Sequence, residues 1–410
     1  MTKTLYFYLI SIFMLASGSL FTWLFQGTPL NMWRQLIWLI GVIIFIRYLR
    51  QTEEAELRNV SKWHFYFFIY IVFLALFTFA VYNFNLVRLA YAFWIYFSGL
   101  PFILLPFIWS DSGFKAQRFY DIFIGLGCFL TVGLIIDFLS GGFFTKMFLI
   151  SVAASLEDIL KDGRFCFLSE APTTFGVYYC FCLFCTLYRL YISKHNLAKF
   201  LLLLVSLTYM IGGWVTGSRQ IVFVLALTFF VSMAYYLCFV KDKKQFLIPV
   251  IIIVVITIPS VKSFLFADEA YQNRYSTELI KHDPRHASWE RGFKENVVDD
   301  IGIFLRGKAV ALSQGQKAYK NEIIGSHYEN TYFSRLSEIG IVGVILLLFP
   351  ILYLYKHWRR NTFFNVSLFA FFLSYLFISY VSPNGIHQTT QMTVYLAFGL
   401  FLKKEYFEIA

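Results

Sequence analysis

Arg219 offers the clearest chemistry in this chain. It stands in Thr216-Gly217-Ser218-Arg219-Gln220, a short turn between two long apolar runs. So short a turn holds Arg219 at the start of the following helix, beside backbone N–H groups that lack helical partners and at the positive end of the helix dipole, where anions bind. A guanidinium adds a planar, permanently charged fork that fits phosphate oxygens. The plainer reading is an arginine that snorkels to lipid headgroups. A second cluster is Arg285-His286-Ala287-Ser288-Trp289-Glu290-Arg291-Gly292-Phe293. Trp289 and Phe293 recur at helical spacing and would lay this segment on a larger body, with Arg285 or Arg291 facing inward; an interfacial helix without chemistry has the same pattern.

Two further clusters flank these. Gly163-Arg164-Phe165 precedes Ser169-Glu170-Ala171-Pro172-Thr173-Thr174. Proline and the threonines suit the first turn of a helix, leaving Arg164 and Glu170 as solvated flanks or as functional groups. Downstream, Ser326-His327-Tyr328-Glu329-Asn330 leads into Phe333, Leu336, Gly340 and Gly343. Taken as a helix, Glu329, Phe333, Leu336, Gly340 and Gly343 share a face, and the two glycines permit close helix contact. His327 and Glu329 would then sit at its rim, either simply solvated or able to take a proton from a reacting hydroxyl. The chain has no Gly-rich phosphate loop, no His-Glu-x-x-His and no Gly-x-Ser-x-Gly. Nor does it have an Asp-x-Asp pair to hold a divalent ion, and Asp299-Asp300 reads as exposed loop charge. Neither a metal nor a cofactor is implied.

The elements that must position these residues are membrane helices. Of 410 residues 59% are hydrophobic and 14% charged, with mean hydropathy +0.64, more apolar surface than one soluble core can enclose. A span needs roughly 20 apolar residues. Runs of that kind fall near 5–25, 31–49, 63–84, 87–109, 119–140, 174–192, 198–216, 219–240, 245–266, 339–356, 362–381 and 388–402. The expected fold is an all-α integral membrane protein of about twelve transmembrane helices, one polytopic domain over 1–410. Ala16-Ser17-Gly18 resembles a signal-peptide cleavage region, but the apolar run continues through Phe21, Trp23 and Phe25.

Basic residues cluster in alternate turns: Arg47 to Lys62, Lys115 and Arg118, Arg189 to Lys199, Lys241 to Lys244, Lys356 to Arg360, and Lys403 with Lys404. Cationic turns stay in the cytoplasm, so both termini are expected there, and loops 141–173 and 267–338 outside. The long loop 267–338, between the ninth and tenth helices, carries about ten basic and eleven acidic side chains. The net charge of +11 therefore sits in the cytoplasmic turns, which points to membrane lipids rather than nucleic acid. Five of the six cysteines fall in predicted spans and read as packing, and Cys166 stands alone in an outer loop. Ionisable groups deep in spans are few: Arg88, Asp137 and Arg219 fall near outer helix ends and Asp121 near an inner one. Chemistry at the outer surface is favoured over transport.

Thr216-Gly217-Ser218-Arg219, the Arg285–Phe293 segment and Glu329-Asn330 followed by Gly340-Ile341-Val342-Gly343, in this order, resemble the O-antigen ligase and polymerase superfamily. Arg164, then Ser169-Glu170-Ala171-Pro172-Thr173, is similar to a pattern that precedes a middle span in such polymerases. The resemblance covers about 119–402 and matches the interior of the long loop poorly. It implies a GT-C-like glycosyltransferase of the bacterial cytoplasmic membrane, inverting and metal-independent, acting on glycans carried by undecaprenyl diphosphate. By match, Arg219 and Arg285 hold the diphosphate, with Arg164 a further candidate. Glu329 or His327 is the base, and Glu170, Arg291 and Asn330 support. The ligases have His-Asn where this chain has Glu329-Asn330, which favours a polymerase of O-antigen or capsule repeat units over a ligase that transfers polymer to lipid A-core. Chain-length regulator and flippase proteins are the expected partners. A lipid-linked oligosaccharide flippase is the alternative from another class.

Overall fold

The computed structural model describes residues 2–82, 86–149, 164–169, 175–239, 285–308, 330–357, 362–381 and 387–408. Among them the chain is all helical: α1 (Thr2–Ala16), α2 (Gly18–Phe25), α3 (Trp33–Gln51), α4 (Ala55–Tyr82), α5 (Leu86–Phe97), α6 (Leu104–Asp111), α7 (Ala116–Leu139), α8 (Phe143–Leu149), α9 (Phe175–Ile192), α10 (Asn196–Val215), α11 (Arg219–Phe239), α12 (Arg285–Phe293), α13 (Ile301–Arg306), α14 (Thr331–Leu347), α15 (Phe349–Lys356), α16 (Phe363–Val381), α17 (Gln388–Leu402) and α18 (Lys404–Phe407). Eight helical stretches are long and apolar enough to cross a membrane, and a ninth results if α1 and α2 count as one span. By helix length and hydropathy this is a multi-pass membrane protein.

Several expected spans take other forms. The run 5–25 is not straight: α1 and α2 meet at 91°. The run 87–109 breaks between α5 and α6 in a 3-10 turn, Leu100–Ile103. A break in hydrocarbon frees carbonyls that must be satisfied by protein. Here Trp38 Nε1 donates to Phe97 O at 3.0 Å and Gln391 Nε2 to Ile95 O at 2.7 Å, while Ser98 Oγ donates to Gln391 Oε1 at 2.8 Å. The run 174–192 yields a shorter apolar helix, Gly176–Ile192, and 388–402 becomes the 15-residue α17. Both are buried by other helices along most of their length, so neither needs a full apolar, lipid-facing stretch. The expected span at 339–356 begins earlier, at Thr331, and the expected ninth span, 245–266, lies outside the described residues.

Helix α9 is the axis of one half of the bundle, packed against α7, α10, α11 and α16. Cys180, Cys182 and Cys185 are fully buried and unbridged on it, which is the packing role expected of them. α11 and α16 are pinned by a polar lock, with Thr228 Oγ1 and Ser374 Oγ 2.8 Å apart and Ser374 Oγ donating to Val224 O at 3.1 Å. The contacts sort by end. Asp121 pairs with Arg189 at 2.7 Å, Glu54 pairs with Lys403, and Tyr120 Oη donates to Phe407 O at 3.0 Å, all at the end that carries the basic turns. At the other end Ser19 Oγ donates to Ser169 O at 2.7 Å and Thr389 Oγ1 to Leu15 O at 3.0 Å.

Candidate functional site

Helix C-termini leave carbonyls without intrahelical partners, so the last turn of α16 must find donors elsewhere. Two elements distant in sequence supply them at its final residue, and a third reaches the helix about one turn earlier. Val381 O accepts Gln220 Nε2 at 3.2 Å and Arg285 Nη1 at 3.3 Å. Leu376 O accepts the Tyr332 hydroxyl at 3.1 Å. Trp289 packs on Tyr380 with ring centroids 5.0 Å apart, and Gly176 at the start of α9 meets Ile221 and Ile378.

The 216–220 turn and the start of α12 therefore meet on one oxygen, at the end opposite the basic turns. Gly217 closes the turn with φ +65°, and Thr216 Oγ1 donates to Gly213 O at 2.6 Å, so Arg219 opens α11 as the sequence indicates. The helical segment Arg285–Phe293 forms as expected, and Trp289 and Arg285 face the bundle. Phe293 does not: it is 51% exposed, and Arg291 is exposed as well. The bond to Val381 uses one of five guanidinium N–H donors, so Arg285 doubles as a cap for the helix C-terminus.

Arg164 lies on a separate strip. Residues 164–169 are held by Asp137, which is fully buried and accepts from Phe144 N at 2.7 Å, Thr145 N at 3.1 Å, Thr145 Oγ1 at 2.5 Å and Phe167 N at 3.2 Å. Asp137 is thus the clasp of α8 and the 164–169 strip. Burial, and then the Asp137 carboxylate, pushes the Cys166 thiol up. Glu170, His327 and Glu329 lie outside the described residues, and Asn330 is the first residue described after Glu329. Asn330 Oδ1 caps α14 by accepting from Tyr332 N at 2.8 Å and Phe333 N at 3.1 Å. Asp300, which read as loop charge, likewise caps α13, accepting from Gly302 N at 2.7 Å.

Gly340 has an unexpected role. It does not sit on a continuous helical face. Its φ is +61°, α14 kinks there, and a Cβ would come within 2.4 Å of Leu305 O. Gly307, at φ +81°, approaches Glu338 O equally closely, and Lys308 N donates to Ser337 O at 2.7 Å. The two glycines permit backbone-to-backbone packing that any side chain would block. The close contact foreseen for this stretch is made by Gly340 with α13, which docks on the kink, while α14 also packs on α4, whose Tyr70 hydroxyl donates to Ile339 O at 2.8 Å.

Beneath the kink lies a buried ionic cluster that hydropathy hid. Arg335 Nη1 and Glu338 Oε2 are 2.6 Å apart, the Tyr96 hydroxyl donates to the same Oε2 at 2.7 Å, and the Arg335 guanidinium lies 4.4 Å from the Tyr96 ring centroid. Both charged residues are 1% exposed. Hydropathy starts the span only at 339, so both fall within the outer loop 267–338 on sequence alone. Their i,i+3 spacing just before the apolar run was the available signal. Among the described residues no three His, Cys, Asp or Glu side chains gather as a metal would need. Outside the spans, burial and then the Arg34 charge push His387 down to about 4.

The chain matches no protein-family profile, no curated protein and no solved structure.

Proposed function

We propose that this chain is a polysaccharide polymerase that joins oligosaccharide repeat units carried on undecaprenyl diphosphate at the outer face of a bacterial cytoplasmic membrane. In this reading the chain crosses the membrane about twelve times, with both termini and the basic turns in the cytoplasm. Arg219 and Arg285 hold the donor's diphosphate and stabilise the charge that develops as it leaves. Glu329 or His327 takes the proton from the acceptor hydroxyl, and Asn330 orders the start of α14 beside that base. The observation that carries the reading is the shared Val381 carbonyl, which brings the Gln220 and Arg285 side chains together opposite the basic turns.

The test is the surface-glycan ladder of a deletion strain complemented with variants. Arg219→Ala and Arg285→Ala should each shorten the ladder towards single repeat units, because loss of one preorganised donor at a charged transition state lowers rate by about 100- to 1,000-fold. Long chains at the wild-type rate from either variant, at equal protein level, would refute the assignment. Loss of a ligase would instead leave polymer on undecaprenyl diphosphate.

One observation favours a second reading. The buried Arg335–Glu338 pair is the kind of intramembrane charge that carriers use, and a lipid-linked oligosaccharide flippase would need such groups. That reading requires deletion to trap repeat units on the inner leaflet.

A further inference from the structure

At the end that carries the basic turns, a cavity of about 680 Å³ opens between the start of α1 and the ends of α3 and α6. Lys3, Arg47, Glu53 and Asp111 make its charged wall, while Ile44 and Ile108 contribute apolar lining. The lining carries one carboxylate for each cation. A purely anionic ligand would meet two repelling carboxylates, and a purely cationic one two repelling cations. A ligand that joins a phosphate to an ammonium matches both halves. Asp111 is already oriented, since the Tyr48 hydroxyl donates to its Oδ2 at 2.7 Å, and a carboxylate accepts several such bonds. The same helices display Tyr6 and Ile10 on α1 and Ile40 and Ile43 on α3, all exposed, as a surface for hydrocarbon.

We propose that this cavity is a binding site for a phospholipid with a zwitterionic, primary-ammonium headgroup, the phosphatidylethanolamine class. The phosphate sits against Lys3 and Arg47, the ammonium against Glu53 and Asp111, and the acyl chains run down α1 and α3. The site is independent of the glycan reading, because it lies at the opposite end of the bundle from Arg219 and Arg285.

The test uses the full chain, delipidated in detergent and titrated by native mass spectrometry with phosphatidylethanolamine, phosphatidylcholine and phosphatidylglycerol of identical acyl chains. Trimethylation removes the N–H donors that the carboxylates accept, so phosphatidylcholine should bind about tenfold more weakly, the effect of losing one charge-assisted hydrogen bond. Arg47→Gln should weaken phosphatidylethanolamine to a similar extent. Glu53→Gln with Asp111→Asn should erase the discrimination against phosphatidylcholine and turn the preference to phosphatidylglycerol. Equal binding of the three lipids by the wild-type chain, or a preference for phosphatidylglycerol, overturns the proposal. So does competition by free phosphoethanolamine as effective as by the lipid, since the hydrocarbon contacts would then contribute nothing. The lipid comparison needs no variant, so a substitution that fails to fold leaves the result decisive.

Discussion

Glu338→Leu should be among the most damaging single substitutions in the bundle. The glutamate and Arg335 are 2.6 Å apart with side-chain exposures of 0% and 2%, so the pair is shielded from water and from lipid headgroups alike. Removal of Glu338 leaves a guanidinium that cannot deprotonate, lying over the Tyr96 ring without its carboxylate. Breaking a buried pair from one side costs about 3–5 kcal/mol, whereas replacing both members with well-packed apolar groups is often neutral. The double variant Arg335→Met/Glu338→Leu should therefore be more stable than Glu338→Leu alone, with a coupling of about 2–3 kcal/mol between the positions. The assay is reversible denaturation by SDS in mixed micelles, followed by tryptophan fluorescence, on the wild type, both single variants and the double. If Glu338→Leu lies within about 1 kcal/mol of wild type, or the double variant loses the full sum of the single losses, then the pair is not the closed ionic unit described above.

Gly340→Ala and Gly307→Ala should each lift α13 off the kink, since the new methyl group meets backbone at 2.4 Å, and faster hydrogen exchange over 301–308 checks it. Unchanged protection there would contradict the docking. Asp137→Ala strands the donors of Phe144, Thr145 and Phe167, and each unpaired buried group costs about 1–3 kcal/mol, so limited proteolysis should cut first within 143–149 and 164–169. His387 should make stability depend on pH. Its folded value of about 4 lies below the ordinary 6.5, so its contribution is complete above pH 6.5 and is lost as pH falls towards 4, to a total of about 3 kcal/mol. Melting temperature in detergent from pH 7.5 to 4.5 should fall less steeply in His387→Gln; equal slopes would count against it. Asp121→Asn, in contrast, breaks a partly exposed pair and should shift stability by no more than about 1 kcal/mol.

Much of the lipid-facing fold was legible because hydropathy reports contact with hydrocarbon. It succeeds for α3, α4, α7, α10, α11 and α16, which turn a face outward. The same signal locates α9 and α17 as well, at 174–192 and 388–402, but not their setting, since protein rather than hydrocarbon surrounds both. Gln391 and Thr389 weaken the apolar character of α17, yet they earn their place as partners of the α5–α6 break and of α1. No local pattern announces such partners, because they lie almost three hundred residues apart or more. The site shows the same division. The placement of Arg219 at a helix start and of Arg285 on a helix laid against the bundle was readable, but the carbonyl on which the 216–220 turn and Arg285 meet belongs to Val381, and a backbone acceptor leaves no trace in residue type. Arg335 and Glu338 were missed because charge alone argued for loop, and only tertiary packing makes room for both inside.

The break at Ser17 bears on the shape of the bilayer around the molecule. α1 ends after 15 residues, before α2 turns away at 91°, and its neighbour α17 has the same length. At 1.5 Å per residue each rises about 22 Å, short of a hydrocarbon slab about 30 Å thick. If α1 alone faces the hydrocarbon on that flank, thinning of the adjacent lipid is one way to match it, and the protein's footprint would then be lopsided, with a dimple on one side. Any lipid entering such a dimple would ride deeper than one arriving from the opposite side.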